Sequence, residues 1–308
     1  MASTSTSEGV QTTDRQRSSA AQALLESLRP GQWVKNGFVF AALIFSRSLT
    51  DWHRNLIVTL AALFFALISS AVYLFNDILD APEDRNHPVK RRRPVASGRL
   101  SVRKAALASG LLACTSLAGA WVLDHRFFLV MVSYAGINIV YSWLLKRLVL
   151  LDAFVVAAGF VFRVVAGGVV IQVQISSWLI VCTTMVALFL ALCKRRHELV
   201  ILGEEAADHR PILADYSPYF LDQLIAIVTA STVMSYALYT LSPDVRAKFP
   251  GKRLELTIPF VLFGIFRYLF LVHQKERGGD PARVLVSDPV LISVVLMWAA
   301  VVILIIYL

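Results

Sequence analysis

Long apolar runs separated by short polar stretches dominate the chain after residue 32. A helix that crosses a hydrocarbon core needs about 20 apolar residues, with a range of about 17–25. Nine segments approach that length: 33–48, 56–79, 102–123, 127–145, 150–172, 177–193, 220–241, 255–273 and 289–308. The pattern predicts an all-α integral membrane protein, a bundle of about nine transmembrane helices. The first segment is short, and the SLRPGQWVKN stretch at its start (residues 27–36) reads as an interfacial helix. The fifth carries Arg163 and the Gly167–Gly168 pair in mid-run. Residues 1–20 are rich in Ser and Thr, and no apolar core follows a short basic region. They are read as a disordered cytosolic tail, not a cleavable signal peptide. Residues 21–308 are read as one transmembrane domain.

Composition agrees with the pattern. Of 308 residues, 57% are hydrophobic and 17% charged, against about 45–50% and about 25% in soluble domains. The net charge of +9 is localised in loops, so it sets orientation and is no footprint for nucleic acid. With a cytoplasmic N-terminus, 21 of the 30 Lys and Arg residues fall on inside segments and seven on outside loops. Arg163 and Arg267 lie within helices. That asymmetry places the N-terminus in the cytoplasm and the C-terminus outside. The three cysteines (Cys114, Cys182, Cys193) lie in or beside apolar runs and form no disulfide or metal-binding spacing.

The ionisable residues that cluster do so on the inside loops, at 76–104 and 194–219. Asn76, Asp77, Asp80 and Asp84 end the second segment, with spacings that bring helical side chains onto one face. Carboxylates gathered at a membrane surface repel one another unless a cation sits among them. Oxygen ligands select hard ions, and Mg²⁺ typically takes one or two carboxylates plus substrate phosphates. Pro82 bends this ideal geometry, so Asp84 is expected from a turn. A basic run follows at 85–99, suited to the remaining charge of a metal-bound diphosphate. Lys90 and Arg93 are its site candidates; Arg91, Arg92 and Arg99 are read as topological. Tyr141 and Lys146 close the fourth segment on the same face. Arg163, at membrane depth, is expected to face a cavity or a partner. Lys194, Arg195, Arg196, His197 and Glu198 open the loop after the sixth segment, followed by Glu204, Glu205 and Asp208. His197 is read as a solvated loop residue.

The NDxxDxxxD element at 76–84, RPxxSG at 93–98 and the Tyr-to-Lys-Arg element at 141–147 together resemble the UbiA superfamily of intramembrane prenyltransferases. The likeness covers the chain after residue 25. It implies a UbiA-like bundle, with Mg²⁺ held by Asn76, Asp77, Asp80 and Asp84. Where that family's aromatic prenyltransferases carry a second acidic motif, this chain has the basic CKRRHEL. With RPGQWVKN and the Arg163 segment, it resembles the branch that transfers 5-phosphoribose from phosphoribosyl pyrophosphate (PRPP) to a decaprenyl-type polyprenyl phosphate. Pyrophosphate is released, and the product feeds arabinan-type cell-envelope glycans. The resemblance implies a bacterial plasma membrane and a site facing the cytoplasm. Asp77, Asp80, Asp84, Lys90, Arg93, Tyr141 and Lys146 would then carry catalysis. Lys35, Asn76, Lys194, Arg195 and Arg196 would meet substrate phosphates, and Arg163 the lipid phosphate. Homo-oligomerisation is left open.

Two other readings compete. In a conventional UbiA-type prenyltransferase, Glu198, Glu204, Glu205 and Asp208 would form a degenerate second acidic motif and an isoprenoid would move to an aromatic acceptor. A transporter is disfavoured, because no internal repeat is visible and the charged clusters gather at one face.

Overall fold

The computed structural model describes residues 20–86, 89–202, 211–275 and 278–308. All the regular secondary structure among these residues is helical, with no strand. Seven helices are long and apolar enough to cross a membrane. In the labels used below they include α3 (Trp52–Leu79), α5 (Val102–Leu123), α7 (Leu151–Val170) and α8 (Ser177–Leu202). The other three are α9 (Pro218–Leu241), α11 (Ile258–Gln274) and α13 (Pro289–Tyr307).

The two remaining expected spans take other forms. The fourth is α6 (His125–Trp143), 19 residues long. Ser133, Tyr134, Asn138 and Tyr141 lower its hydropathy below that of the seven. The first is no single α-helix. After α1 (Ala20–Leu28) the chain runs as an 11-residue 3₁₀ helix from Pro30 to Phe40, then as the short α2 (Ala41–Phe45). A 3₁₀ helix rises about 2 Å per residue, so this stretch reaches about 22 Å. Long-range contacts hold it in that form: Trp33 Nε1 donates to Ser70 Oγ at 3.1 Å, and Asn36 Oδ1 accepts from Arg163. Gly167 lets the segment lie against α7, since a Cβ there would stand 1.8 Å from the carbonyl oxygen of Val39.

α7 is the axis of the bundle. One side packs into a core with Val39, Phe65, Ile68, Phe127 and Met131; the other meets Leu188, Leu192, Leu221, Ile225 and Leu271. The peripheral α5 and α13 keep most of their apolar side chains on the outside, with Val122 85% exposed. Hydrocarbon covers such a surface, whereas a soluble protein rarely leaves so large a patch bare.

α8 runs past the expected end of its span at residue 193 and continues to Leu202. Ion pairs from Arg195 and Lys194 to Glu198, three and four residues on, support the added turns. The cluster 194–198 is therefore helical and not loop. Glu204, Glu205 and Asp208 lie outside the described residues, as does nearly all of the tail.

Candidate active site

α3 ends at Leu79, and Pro82 has no amide hydrogen to carry the ladder on. The chain bends at Asp80 and starts the short α4 (Ala81–Asn86), so Asp84 comes from a separate helical turn. Asp77 is 2% exposed, and Asp84 is also buried. Nη1 of Arg93 donates to both, at 3.2 Å to Asp77 Oδ1 and 2.7 Å to Asp84 Oδ2. Asp77 Oδ1 accepts a second donor, Arg29 Nη2, at 2.5 Å. Burial holds the Asp84 carboxyl above the ordinary carboxylate range, against the pull of Arg93 and Lys90. Asp80 points elsewhere and accepts from Lys146 Nζ at 2.8 Å. Asn76 Oδ1 accepts from Ser142 Oγ at 2.5 Å, which ties α3 to the end of α6.

Among the described residues no three His, Cys, Asp or Glu side chains converge closely enough to hold an ion between them. Arg93 bridges Asp77 and Asp84, while Asp80 carries Lys146 and lies within electrostatic reach of both. Two buried carboxylates that share one cationic nitrogen still fit a hard divalent ion. Mg²⁺ takes few protein carboxylates and fills its octahedron with water and phosphate oxygens.

The basic end of α8 is built differently. Arg195 is buried; its Nε donates to Asp152 Oδ2 and its Nη1 to Glu198 Oε2, at 2.5 and 2.6 Å. Tyr216 donates to Asp152 Oδ1 at 3.2 Å and accepts from the amide of Leu150, which has the left-handed φ of 67°. Burial pushes the Tyr216 hydroxyl up to about 12. Arg196 pairs with Asp222, which also meets His273. His197 is helical and only partly exposed: its Nδ1 accepts from the amide of Gly278, and a Cβ on Gly278 or Gly279 would stand 2.8 Å from its side chain.

Between these two clusters runs the 3₁₀ segment. Gln32 donates to Asp280 at 2.8 Å, and Lys35 lies within electrostatic reach of Asp280, Arg163 and Arg29. Every nitrogen of the buried Arg163 guanidinium donates inside the protein: Nε to Asn36, Nη1 to the carbonyl of Gly159, Nη2 to Ser69 and Tyr134. Phe65, Tyr134 and Phe160 surround it with ring faces. Asn36 Nδ2 is buried without a partner.

Residues 37–197 match the model of the UbiA prenyltransferase family, which is more than half of the chain. The chain belongs to that family. It is 33% identical over 282 residues to the decaprenyl-phosphate phosphoribosyltransferase of Mycobacterium tuberculosis, covering 90% of this chain and 92% of that one. The enzyme of the same name from Corynebacterium glutamicum is 31% identical, over 93% of this chain and 87% of its own. Among solved structures, a UbiA homologue from Archaeoglobus fulgidus bound to GPP and Mg²⁺ superposes with a TM-score of 0.68. The match covers 91% of this chain and 99% of that one, at 19% identity, and shows a shared fold.

Within this UbiA-family bundle, Asn76, Asp77, Asp80, Asp84, Arg93 and Lys146 gather at one end of the helices. Lys90 and Tyr141 stand in the elements beside them, both partly buried. Sequence reasoning missed Arg29, Asp152, Tyr216, Asp222 and Asp280. Only Arg29 had a local signal, as the residue before Pro30 in a segment already singled out.

Proposed function

We propose that this protein transfers 5-phosphoribose from PRPP to a polyprenyl phosphate and releases pyrophosphate. The observation that carries the reading is the likeness to decaprenyl-phosphate phosphoribosyltransferases over nine-tenths of both chains. The cations framing the acidic pair add chemical support, because a diphosphate donor with a further 5-phosphate brings more negative charge than one metal ion neutralises.

In this reading Asp77 and Asp84 would hold Mg²⁺, which when bound would supply Lewis-acid stabilisation of the departing diphosphate. Arg93, already bonded to both carboxylates, lies where a diphosphate oxygen would enter and presents a fork that matches it. Lys146 fixes the Asp80 carboxylate beside the pair, where it would add negative charge to the metal's surroundings. The C1–O bond to the diphosphate breaks as a lipid phosphate oxygen bonds to C1. The lipid phosphate is a monoester with a second pKa near 6, so it arrives largely as the dianion and needs no general base. Catalysis is then positioning and electrostatics.

The distribution of roles is refined by the geometry. Arg195 is buried and Arg196 is bonded to Asp222, so we assign the 5-phosphate to Lys35 and to Lys194, which is 42% exposed and whose contact with Glu198, at 3.8 Å, is the loosest of the three. Arg163 is assigned the work of bracing the 3₁₀ segment, and the spare Asn36 Nδ2 offers a donor beside it for the lipid phosphate. The excess of Lys and Arg on inside loops supports a site facing the cytoplasm of a bacterial plasma membrane.

A transfer assay tests the reading. Purified protein in detergent receives ribose-labelled PRPP, a polyprenyl phosphate and Mg²⁺, with and without EDTA. Label entering the organic phase only with the metal is the expected result. No transfer with folded protein and several lipid lengths, alongside turnover of a prenyl diphosphate with an aromatic acceptor, would replace it by the conventional prenyltransferase.

A further inference from the structure

Asp77 presents an anomaly. One buried oxygen accepts from two guanidiniums, Arg29 at 2.5 Å and Arg93 at 3.2 Å. Arg93 has a second carboxylate in Asp84, but the Arg29 contact is built specifically for Asp77.

The backbone at Arg29 has φ 53° and ψ 60°, in the left-handed region. Residues with a Cβ seldom enter that region, and a residue before proline prefers extended backbone. Such conformations persist where surrounding contacts over-determine them. Here Ser70 Oγ donates to the carbonyl of Leu28, Trp33 donates to Ser70, and the Gln32 amide donates to the Arg29 carbonyl. The side chain then lies over the ring of Tyr73, 5.0 Å from its centroid, one helical turn before Asp77. The fold therefore spends strained backbone to bring one guanidinium to one carboxylate. That guanidinium is 30% exposed, while the carboxylate is 2% exposed.

We propose that Arg29 is an exchangeable counter-ion. It neutralises Asp77 while the metal is away, yields that oxygen when a divalent cation enters, and then takes the diphosphate bound to the cation. A guanidinium seated at 2.5 Å on that oxygen blocks an incoming ion's approach and repels its charge, so the two compete for Asp77. The pinned backbone and the Tyr73 ring keep the displaced guanidinium beside the ion, where a planar fork matches phosphate oxygens. The buried carboxylate is never left unpaired, and an empty site does not hold metal tightly. This inference rests on the proposed metal and diphosphate chemistry of the site, but not on PRPP as the donor.

Competition followed by cooperation has a two-signed signature that a purely structural arginine lacks. In Arg29→Gln, Mn²⁺ alone, titrated into the substrate-free protein and followed by electron paramagnetic resonance, is expected to bind at least about fivefold more tightly than in the wild type. Inorganic pyrophosphate, titrated at saturating Mn²⁺ and followed by calorimetry, is expected to bind at least about fivefold more weakly. Arg29→Lys keeps the charge and is expected to leave Mn²⁺ affinity near wild type while pyrophosphate binding falls. Unchanged or weaker Mn²⁺ binding in a monodisperse Arg29→Gln protein would overturn the competition, and unchanged pyrophosphate binding would overturn the hand-over. If both shifts appear but ribose-labelled PRPP transfers nothing, the counter-ion role stands and the donor assignment fails.

Discussion

Two arginine–aspartate systems stand at the same end of this bundle and differ in one respect, access to water. At the end of α3, Asp77 is buried but its partners Arg29 and Arg93 are 30% and 28% exposed. At the base of α7, Asp152 is 0% and Arg195 4% exposed, and Tyr216 and Glu198 complete the shell. The first set can be exchanged for ligands arriving from water. The second is closed, so a ligand could reach Arg195 only by breaking a buried ion pair. Similar sets of charges therefore have different access: the set at α3 fits the proposed site, and the set at α8 fits a structural joint.

Substitutions can break or sharpen that contrast. The largest effect on activity is expected from Asp77→Asn, which keeps the shape but removes the charge proposed to hold the metal. Transfer should fall below detection while the thermal midpoint in detergent stays near wild type, because both arginines remain hydrated. The largest effect on stability is expected from Asp152→Ala, which removes the buried partner of Arg195 and leaves it the partly exposed Glu198, at about 3–5 kcal/mol. Thermal unfolding in detergent should show it, and Asp152→Leu with Arg195→Met should recover much of the loss. A joint that tolerated Asp152→Ala would have to be reread as a ligand site. Gly167→Ala pushes a methyl against the Val39 carbonyl and should cost about 1–3 kcal/mol. Its transfer activity should fall as well, since the 3₁₀ segment carrying Lys35 must shift. Arg91→Ala, on the exposed part of the basic run, should change stability by no more than about 0.5 kcal/mol. Its transfer rate should match wild type.

The contrast also separates what the sequence discloses from what it hides. The spans show because apolar length is a local property, and the acidic element shows because its spacing follows the helical repeat. Pro82 flagged the break that hands Asp84 to a second helix. Asp152 and Arg195 were another matter: 43 residues separate them, and a lone acid at a helix start carries no periodic signal. Without that partner, Lys194-Arg195-Arg196 reads as a phosphate cluster or a topology signal, and the buried ion pair of Arg195 stays hidden. The coil type of the first span was hidden for a related reason. Its composition suits an α-helix, and only distant contacts from Ser70, Arg163 and Gly167 hold the tighter coil.

That coil has a consequence for how the chain can change. With three residues per turn, side chains stack in three straight ridges. Gln32, Lys35 and Phe38 form one, reaching Asp280 and the ring of Phe160. Trp33, Asn36 and Val39 form another, keyed to Ser70, Arg163 and Gly167. An α-helix turns each residue about 20° less, so recoiling the segment would put the two ridges out of phase with every side chain still present. Residues 29–40 are thus a keyed part, and a chimera with a relative should exchange them together or leave them whole.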